Sequence, residues 1–172
     1  MKKSDEIRDM IIRLEAEDKA LKESFRAGNT DPQMLWWKQY WECGGRDNQR
    51  KMEKLEFEQR KEENREIEVG DGCTLHLWSD SYACTVIRKT AKSITIQRDK
   101  AIRNPDFKPE WVTGGFSAHC TNADEQSYTY ERNENGETYV CHWSEKEGRY
   151  RHGSDGSMKV GLGRYEYYDY NF

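Results

Sequence analysis

The periodicity of the chain changes once, at Val69-Gly-Asp-Gly72, and that change dictates a fold with helices first and strands after. Upstream, Ile7, Ile11, Leu14, Leu21 and Phe25 recur near helical spacing. Downstream, Leu75 and Leu77 alternate with His76 and Trp78, the period of a half-buried strand. Ser79-Asp80-Ser81 then turns the chain, and Cys84-Thr-Val-Ile87 and Ser93-Ile-Thr-Ile-Gln97 read as two further strands joined by Arg88-Lys-Thr-Ala-Lys92. The predicted class is α+β by segregation. About three helices occupy residues 1–67, and a small antiparallel, SH3-like or barrel-like β domain that carries the ligand site occupies residues 68–172.

Ser4 suits the first N-cap, with Asp5 and Glu6 in the first turn where they complement the helix dipole. Thr30-Asp31-Pro32 offers a second helix start. Met34, Leu35, Trp36, Trp37, Tyr40 and Trp41 follow almost without a polar break, and Gly44-Gly45 is expected to end that helix. A third runs from about Asp47 to Glu66, but its apolar Met52, Leu55 and Phe57 are too few for a full buried stripe. Helices one and three therefore read either as an oligomerisation or docking element, or as a hairpin packed on its own β domain.

Later in the chain, Tyr128-Thr-Tyr130 and Tyr139-Val-Cys-His-Trp143 flank Asn135-Gly136, a strong hairpin signal. Gly148 and Asp155-Gly156 mark turns around strands at Arg149-Tyr-Arg151 and Met158-Lys-Val160. The tail from Gly163 to Phe172 alternates aromatic with polar residues and reads as a last strand.

Only 34% of the residues are apolar, so the core is modest, yet 12% are aromatic, too many for a disordered chain. A formal net charge of −4 argues against a partner that is a polynucleotide or a membrane surface. No run reaches transmembrane length. Five cysteines, an odd number with no CxxC and no signal peptide ahead of them, fit a reducing cytoplasm.

Catalytic and metal chemistry find little footing. His119-Cys120 and Cys141-His142 offer zinc-type ligands, but neighbours on a strand point to opposite faces, so a buried structural role suits these cysteines better. No Gly-x-Ser-x-Gly elbow, HExxH or P-loop is present, and Asp124-Glu125 with Glu131 read as solvated carboxylates. No enzyme activity, metal or cofactor is expected.

A binding role asks less of the chain. The stretch from Arg98 to Asn122 packs Arg98, Lys100, Arg103 and Lys108 among Phe107, Trp111 and Phe116, with two prolines and the Gly114-Gly115 pair. Long punctuated connections on a β scaffold are more often functional than idle. Arg88 and Lys92 precede it; Arg132, Arg149, Arg151 and Arg164 follow. Guanidinium forks bind phosphate, exposed rings stack on bases, and an amide such as that of Asn122 can read a purine edge. Basic and aromatic patches inside an acidic chain fit a small phosphorylated ligand. The candidate ligand residues are Arg88, Arg103, Lys108, Trp111, Phe116, Asn122, Arg132, Arg149 and Arg164. The alternatives are that Trp111 and Phe116 are core and that the arginines pair with acids.

The block from Val69-Gly-Asp-Gly72 through Gln97-Arg-Asp-Lys100, the segment Gly114-Gly-Phe-Ser-Ala-His-Cys-Thr-Asn122 and the closing Tyr168-Asp-Tyr-Asn-Phe172 resemble bacteriophage-encoded proteins. The characterised family they are most similar to is the phage anti-Thoeris sponge. That resemblance covers the β domain and implies an oligomeric, non-catalytic helix-plus-β protein in the cytoplasm of an infected bacterium. It implies sequestration of a cyclic nucleotide immune signal of the cyclic ADP-ribose type, and in some members of cyclic oligonucleotides such as those of CBASS defence. The family's Arg, Phe and Asn binding positions fall on Arg88, Phe116 and Asn122, with Trp111 the alternative to Phe116 because the Phe-to-Asn interval is short. The other function open to this sequence is an SH3-like interaction module that docks a host or virion protein, with Trp36, Trp37 and Trp41 as anchors.

Overall fold

A computed structural model describes residues 2–27, 35–114 and 117–171. The expected helix start at Thr30-Asp31-Pro32, together with Met34, Gly115 and Phe116, lies outside the described residues, as do the side chains of Leu35, Trp36 and Ser117. The chain divides into two compact units, Met1–Glu63 and Asn64–Phe172. Among the described residues no helix is long and apolar enough to cross a membrane.

The first unit is helical, with α1 at Lys3–Ala27, α2 at Leu35–Tyr40 and α3 at Arg46–Glu66. Trp41–Gly45 joins α2 to α3 in a π-type turn, so the described residues form two helical stretches, the second kinked, rather than three separate helices. Gly44 takes φ 121°, which breaks the helical path, and a β-carbon on Gly45 would stand 2.4 Å from the Tyr40 ring. The glycine pair thus bends the helix under a buried tyrosine without ending it. Lys3 and Arg8 pair with Glu62 and Glu63 at 2.9 and 3.1 Å, while Asp18 accepts from Tyr40 and Asn48, which sets α1 antiparallel to α3.

The described residues of the second unit form ten strands: β1 Gly72–His76, β2 Ser81–Lys89, β3 Ser93–Arg98, β4 Lys100–Arg103, β5 Trp111–Gly114, β6 Ser117–Cys120, β7 Tyr128–Glu131, β8 Thr138–Ser144, β9 Arg149–His152 and β10 Met158–Leu162. Six of them close an antiparallel barrel in the order β1-β10-β9-β8-β3-β2. Alternate residues fill it: Cys73, Leu75, Cys84, Val86, Ile94, Ile96, Tyr139, Cys141, Tyr150 and Val160. Each fully buried aliphatic side chain contributes about 1.5–3 kcal/mol, so this small set carries the unit.

β3 and β8 are barrel neighbours, yet the chain between them runs out through β4, β5, β6 and β7 before it returns. The sequence stretch Arg98–Asn122 is the outgoing part of this excursion. β4 pairs with β7 and β5 with β6, each as a separate two-stranded ribbon. The expected hairpin at Asn135-Gly136 is therefore not formed, because the strands flanking it pair elsewhere, β7 with β4 and β8 with β3. Gly136 is not at positive φ, as a type I′ turn would need. It is required by proximity, since a β-carbon there would lie 2.0 Å from the Arg98 carbonyl oxygen.

The tail is also not a full strand. Among the described residues it makes one bridge, Ser81 to Tyr167, and straps the outer face of β1 and β2. Thr74 Oγ1 donates to the Gly163 carbonyl, the Ala83 amide donates to Glu166, and Arg164 reaches Asp99 and Thr85. This cover explains why β2 is buried on both faces, from Ala83 through Val86. Beyond Tyr167 the strap holds the excursion: Gln126 exchanges two hydrogen bonds with the Tyr168 backbone, and Asn171 does the same with Cys120.

Candidate ligand-binding site

Barrel closure lines up charge. In the register, His76 of β1 stands opposite Lys159 of β10, Lys159 opposite Arg151 of β9, and Arg151 opposite His142 of β8. Directly opposed residues share a face of the sheet, and Leu75 and Val160 next to them point into the core, so this row faces outward. Like charges in directly opposed positions are destabilising. Glu147 pairs with Arg151, but Lys159 has no carboxylate partner among the described residues. Burial, then the positive Arg149 and Lys159, push His76 below the ordinary imidazole value, so it is neutral near pH 7. Its Nδ1 shares a 3.0 Å hydrogen bond with Ser81 Oγ.

Beside this row the β1–β2 turn projects Trp78, which is 93% exposed. His76, Trp78, Asp80, Arg151, Met158 and Lys159 line a cavity of about 680 Å³, a size that suits a nucleotide-scale ligand. Arg151 Nε is shielded from solvent and has no acceptor among the described residues. The site thus presents the unpaired cation of Lys159, an Arg151 held by Glu147, and a bare indole face. Among the described residues Asp80 is the one carboxylate in the lining, and it is held by the Asp169 amide of the strap. Ser81 beside His76 is buried and does not line the cavity, so the pair is not presented as a nucleophile and base.

The residues singled out from sequence are not brought together. Arg103, Lys108, Trp111 and Asn122 sit on the excursion, which leaves the barrel after β3, whereas Arg88 is exposed toward the opposite end of β2. Arg103 donates to the Tyr170 hydroxyl at 2.8 Å, and Trp111, 52% exposed, meets the Tyr170 ring edge-on at 6.1 Å. Lys108 is exposed, and its carbonyl accepts from the Asn122 amide, whose Oδ1 in turn accepts from the Glu110 backbone. Asn122 thereby clamps the loop that carries Lys108. The hollow they line, about 440 Å³, also holds Asp106, Glu110 and Glu125, an acidic setting for a phosphate. Arg132 is exposed in the 132–137 loop, Arg149 stands near the cation row, and Arg164 is spent on Asp99. Phe116 lies outside the described residues.

His76, Trp78 and Lys159 are the functional candidates that sequence reasoning passed over. One local signal was available: with Leu75 and Leu77 inward, alternation puts Trp78 on the water side, where a large ring is not needed for packing. The register of Lys159 against His76 had no local signal, because it arises from closure between the first and last barrel strands. Among the described residues no group of three or more His, Cys, Asp or Glu side chains could hold a metal ion. Comparison of the chain with protein-family models, with curated proteins and with solved structures finds no match.

Proposed function

We propose that this protein is a non-catalytic binder of a small anionic ligand that carries a flat ring, held at the Trp78 cavity. The observation that carries it is the cross-strand opposition of Lys159 and Arg151 beside the bare Trp78 indole. An arrangement that weakens the sheet is retained where an anion neutralises it, and an exposed indole supplies a stacking platform worth about 1–3 kcal/mol per base. The resemblance read in the sequence names one such ligand, a cyclic nucleotide immune signal of the cyclic ADP-ribose type, which the protein would withhold from its effector. An oligomer assembled through the helices belongs to the same proposal, and Met10 and Ile12 of α1, both more than half exposed, support it. The competing function is an SH3-like module that docks a host or virion protein, read in the sequence with Trp36, Trp37 and Trp41 as anchors; the exposed Trp78 offers it a further one.

Thermal-shift titration with cyclic ADP-ribose, glycocyclic ADP-ribose and a cyclic dinucleotide tests this, followed by heat denaturation and chromatography of the released ligand. The expected result is a melting temperature that rises with ligand concentration, intact recovered ligand, and at least tenfold weaker binding in Trp78→Ala and in Lys159→Ala. Degraded ligand would make the protein an enzyme. No stabilisation by any of these ligands, with a protein captured through Trp78, would leave the docking function standing instead.

A further inference from the structure

We propose a second anion site, separate from the Trp78 cavity, at the barrel mouth between the β2–β3 and β8–β9 turns, which takes a small organic oxyanion through the indole N–H of Trp143. The β1–β2 and β9–β10 turns beside the Trp78 cavity lie at the other end of these antiparallel strands. The mouth forms a cavity of about 580 Å³ lined by Arg65, Lys89, Lys92, Trp143, Glu145 and Tyr150, with the short Thr90-Ala91 turn between.

The Trp143 ring is fixed from two sides. The Arg65 guanidinium lies 4.8 Å from its centroid, and Tyr150 meets it at 5.0 Å and 71°. Its Nε1–H is shielded from solvent, yet no acceptor reaches it among the described residues. A buried donor without an acceptor loses the full desolvation energy of the group, and such groups call for an explanation. Among the described residues Glu145 is the one carboxylate in the lining, and it is held by Arg65. Lys89 is pinned by the Arg65 carbonyl at 2.9 Å and Glu68 at 2.8 Å, which fixes its ammonium at the cavity wall. Lys92 is joined to Trp143 through the backbone, its carbonyl accepting from the Trp143 amide at 2.9 Å, and its ammonium has no carboxylate partner among the described residues. Lys89 is paired with Glu68 and Arg65 with Glu145, so the Lys92 ammonium and the idle indole donor are what call for oxygen with negative charge. The flat ring between Arg65 and Tyr150 suits a ligand with an apolar body behind that headgroup.

The test uses the full chain labelled with 5-fluorotryptophan and followed by fluorine NMR. The Trp143 resonance is assigned by its disappearance in Trp143→Phe. Phenyl phosphate, benzoate and inorganic phosphate are titrated in parallel, and the two organic probes show which headgroup is preferred. A saturable shift of the Trp143 resonance with either organic probe is expected, weakened about tenfold in Lys89→Ala/Lys92→Ala, as loss of hydrogen bonds to a charged group implies. The same response should persist in Trp78→Ala. The other tryptophan resonances of the double lysine variant, unchanged in position, show that it folds. No shift with any probe, an equal shift in the double variant, or loss of the response in Trp78→Ala would overturn the second site. A response to inorganic phosphate as strong as to phenyl phosphate would overturn the role given to the ligand's apolar body.

Discussion

Arg164 donates from Nε to Asp99 Oδ2 at 2.7 Å and from its terminal nitrogen to Thr85 Oγ1 at 2.8 Å, which ties the C-terminal strap to the one carboxylate buried between β3 and β4. An arginine that reads in sequence as a ligand contact is here a structural partner. Asp99 is almost fully buried while Arg164 is about one third exposed. Removal of one partner from a fully buried pair costs about 3–5 kcal/mol, and water access to Arg164 reduces that. Arg164→Ala is therefore expected to lower stability by about 2 kcal/mol in urea denaturation, and the loss should shrink when Asp99→Asn is combined with it. An Arg164→Ala variant of unchanged stability would show that the pair contributes nothing.

The helical unit has a pH dependence set by Asp18. Burial raises its pKa, but hydrogen bonds from Lys22, Tyr40 and Asn48 and the charge of Lys22 outweigh burial and leave it below the ordinary carboxylate value. A depressed folded-state pKa contributes stability above the unfolded value, near 3.9, and that contribution disappears as pH falls through the folded value. The stability gap between the wild type and Asp18→Asn, measured by helical circular dichroism in urea, should be constant from pH 7 to pH 5 and narrow below about pH 4. A gap that widens on acidification would contradict the depression.

Gly136→Ala is expected to be destabilising by at least the 1–3 kcal/mol typical of overpacking, because the new methyl would stand 2.0 Å from the Arg98 carbonyl, a backbone atom with no rotamer to yield. Equal stability of Gly136→Ala and wild type in thermal melts would refute the close approach.

That glycine also marks how far the sequence was legible. The helix-then-barrel order followed from the change of period at Val69–Gly72, since period 3.6 and period 2 are local properties that each segment carries by itself. Strands β1 to β3 were legible for the same reason. The Asn135-Gly136 dipeptide misled because its local preference favours a hairpin, while the partners of β7 and β8 are chosen by β4 and β3. The strap was misread as a strand because its alternation serves two tasks, Glu166 and Tyr167 against β2 and Tyr168 to Asn171 against the excursion. The cation row is a property of closure: His76 and Lys159 are far apart in sequence and become neighbours only when β1 meets β10.

The thiols should divide sharply by reactivity. Cys43 is exposed, whereas Cys73, Cys84 and Cys141 are fully enclosed in the barrel and Cys120 is buried on the excursion. Burial pushes Cys84 and Cys141 up to about 12, and Cys73 is raised further by burial and by its two thiol neighbours. Thiolate, not thiol, is the nucleophile. A disulfide-exchange reagent at pH 8 should titrate Cys43 at once and all five cysteines only after denaturation. Fast reaction of a second thiol would reveal an open state of the barrel.

The cation row should show a conflict between stability and binding. Lys159 faces Arg151 and the partly buried His76, and Glu147 relieves only Arg151. Replacement of Lys159 by threonine removes the like-charge opposition and leaves a good strand former, so the barrel should gain about 0.2–1 kcal/mol. The gain is electrostatic and must fade as salt screens the row, with a Debye length near 3 Å at 1 M against about 10 Å at 0.1 M. The same variant should lose at least tenfold in affinity for the cyclic nucleotide probes. Urea denaturation of both proteins at low and high salt, beside ligand titration, measures the two effects separately. A Lys159→Thr variant that is less stable at low salt, or equally stable with undiminished binding, would remove the reason for placing the ligand at this row.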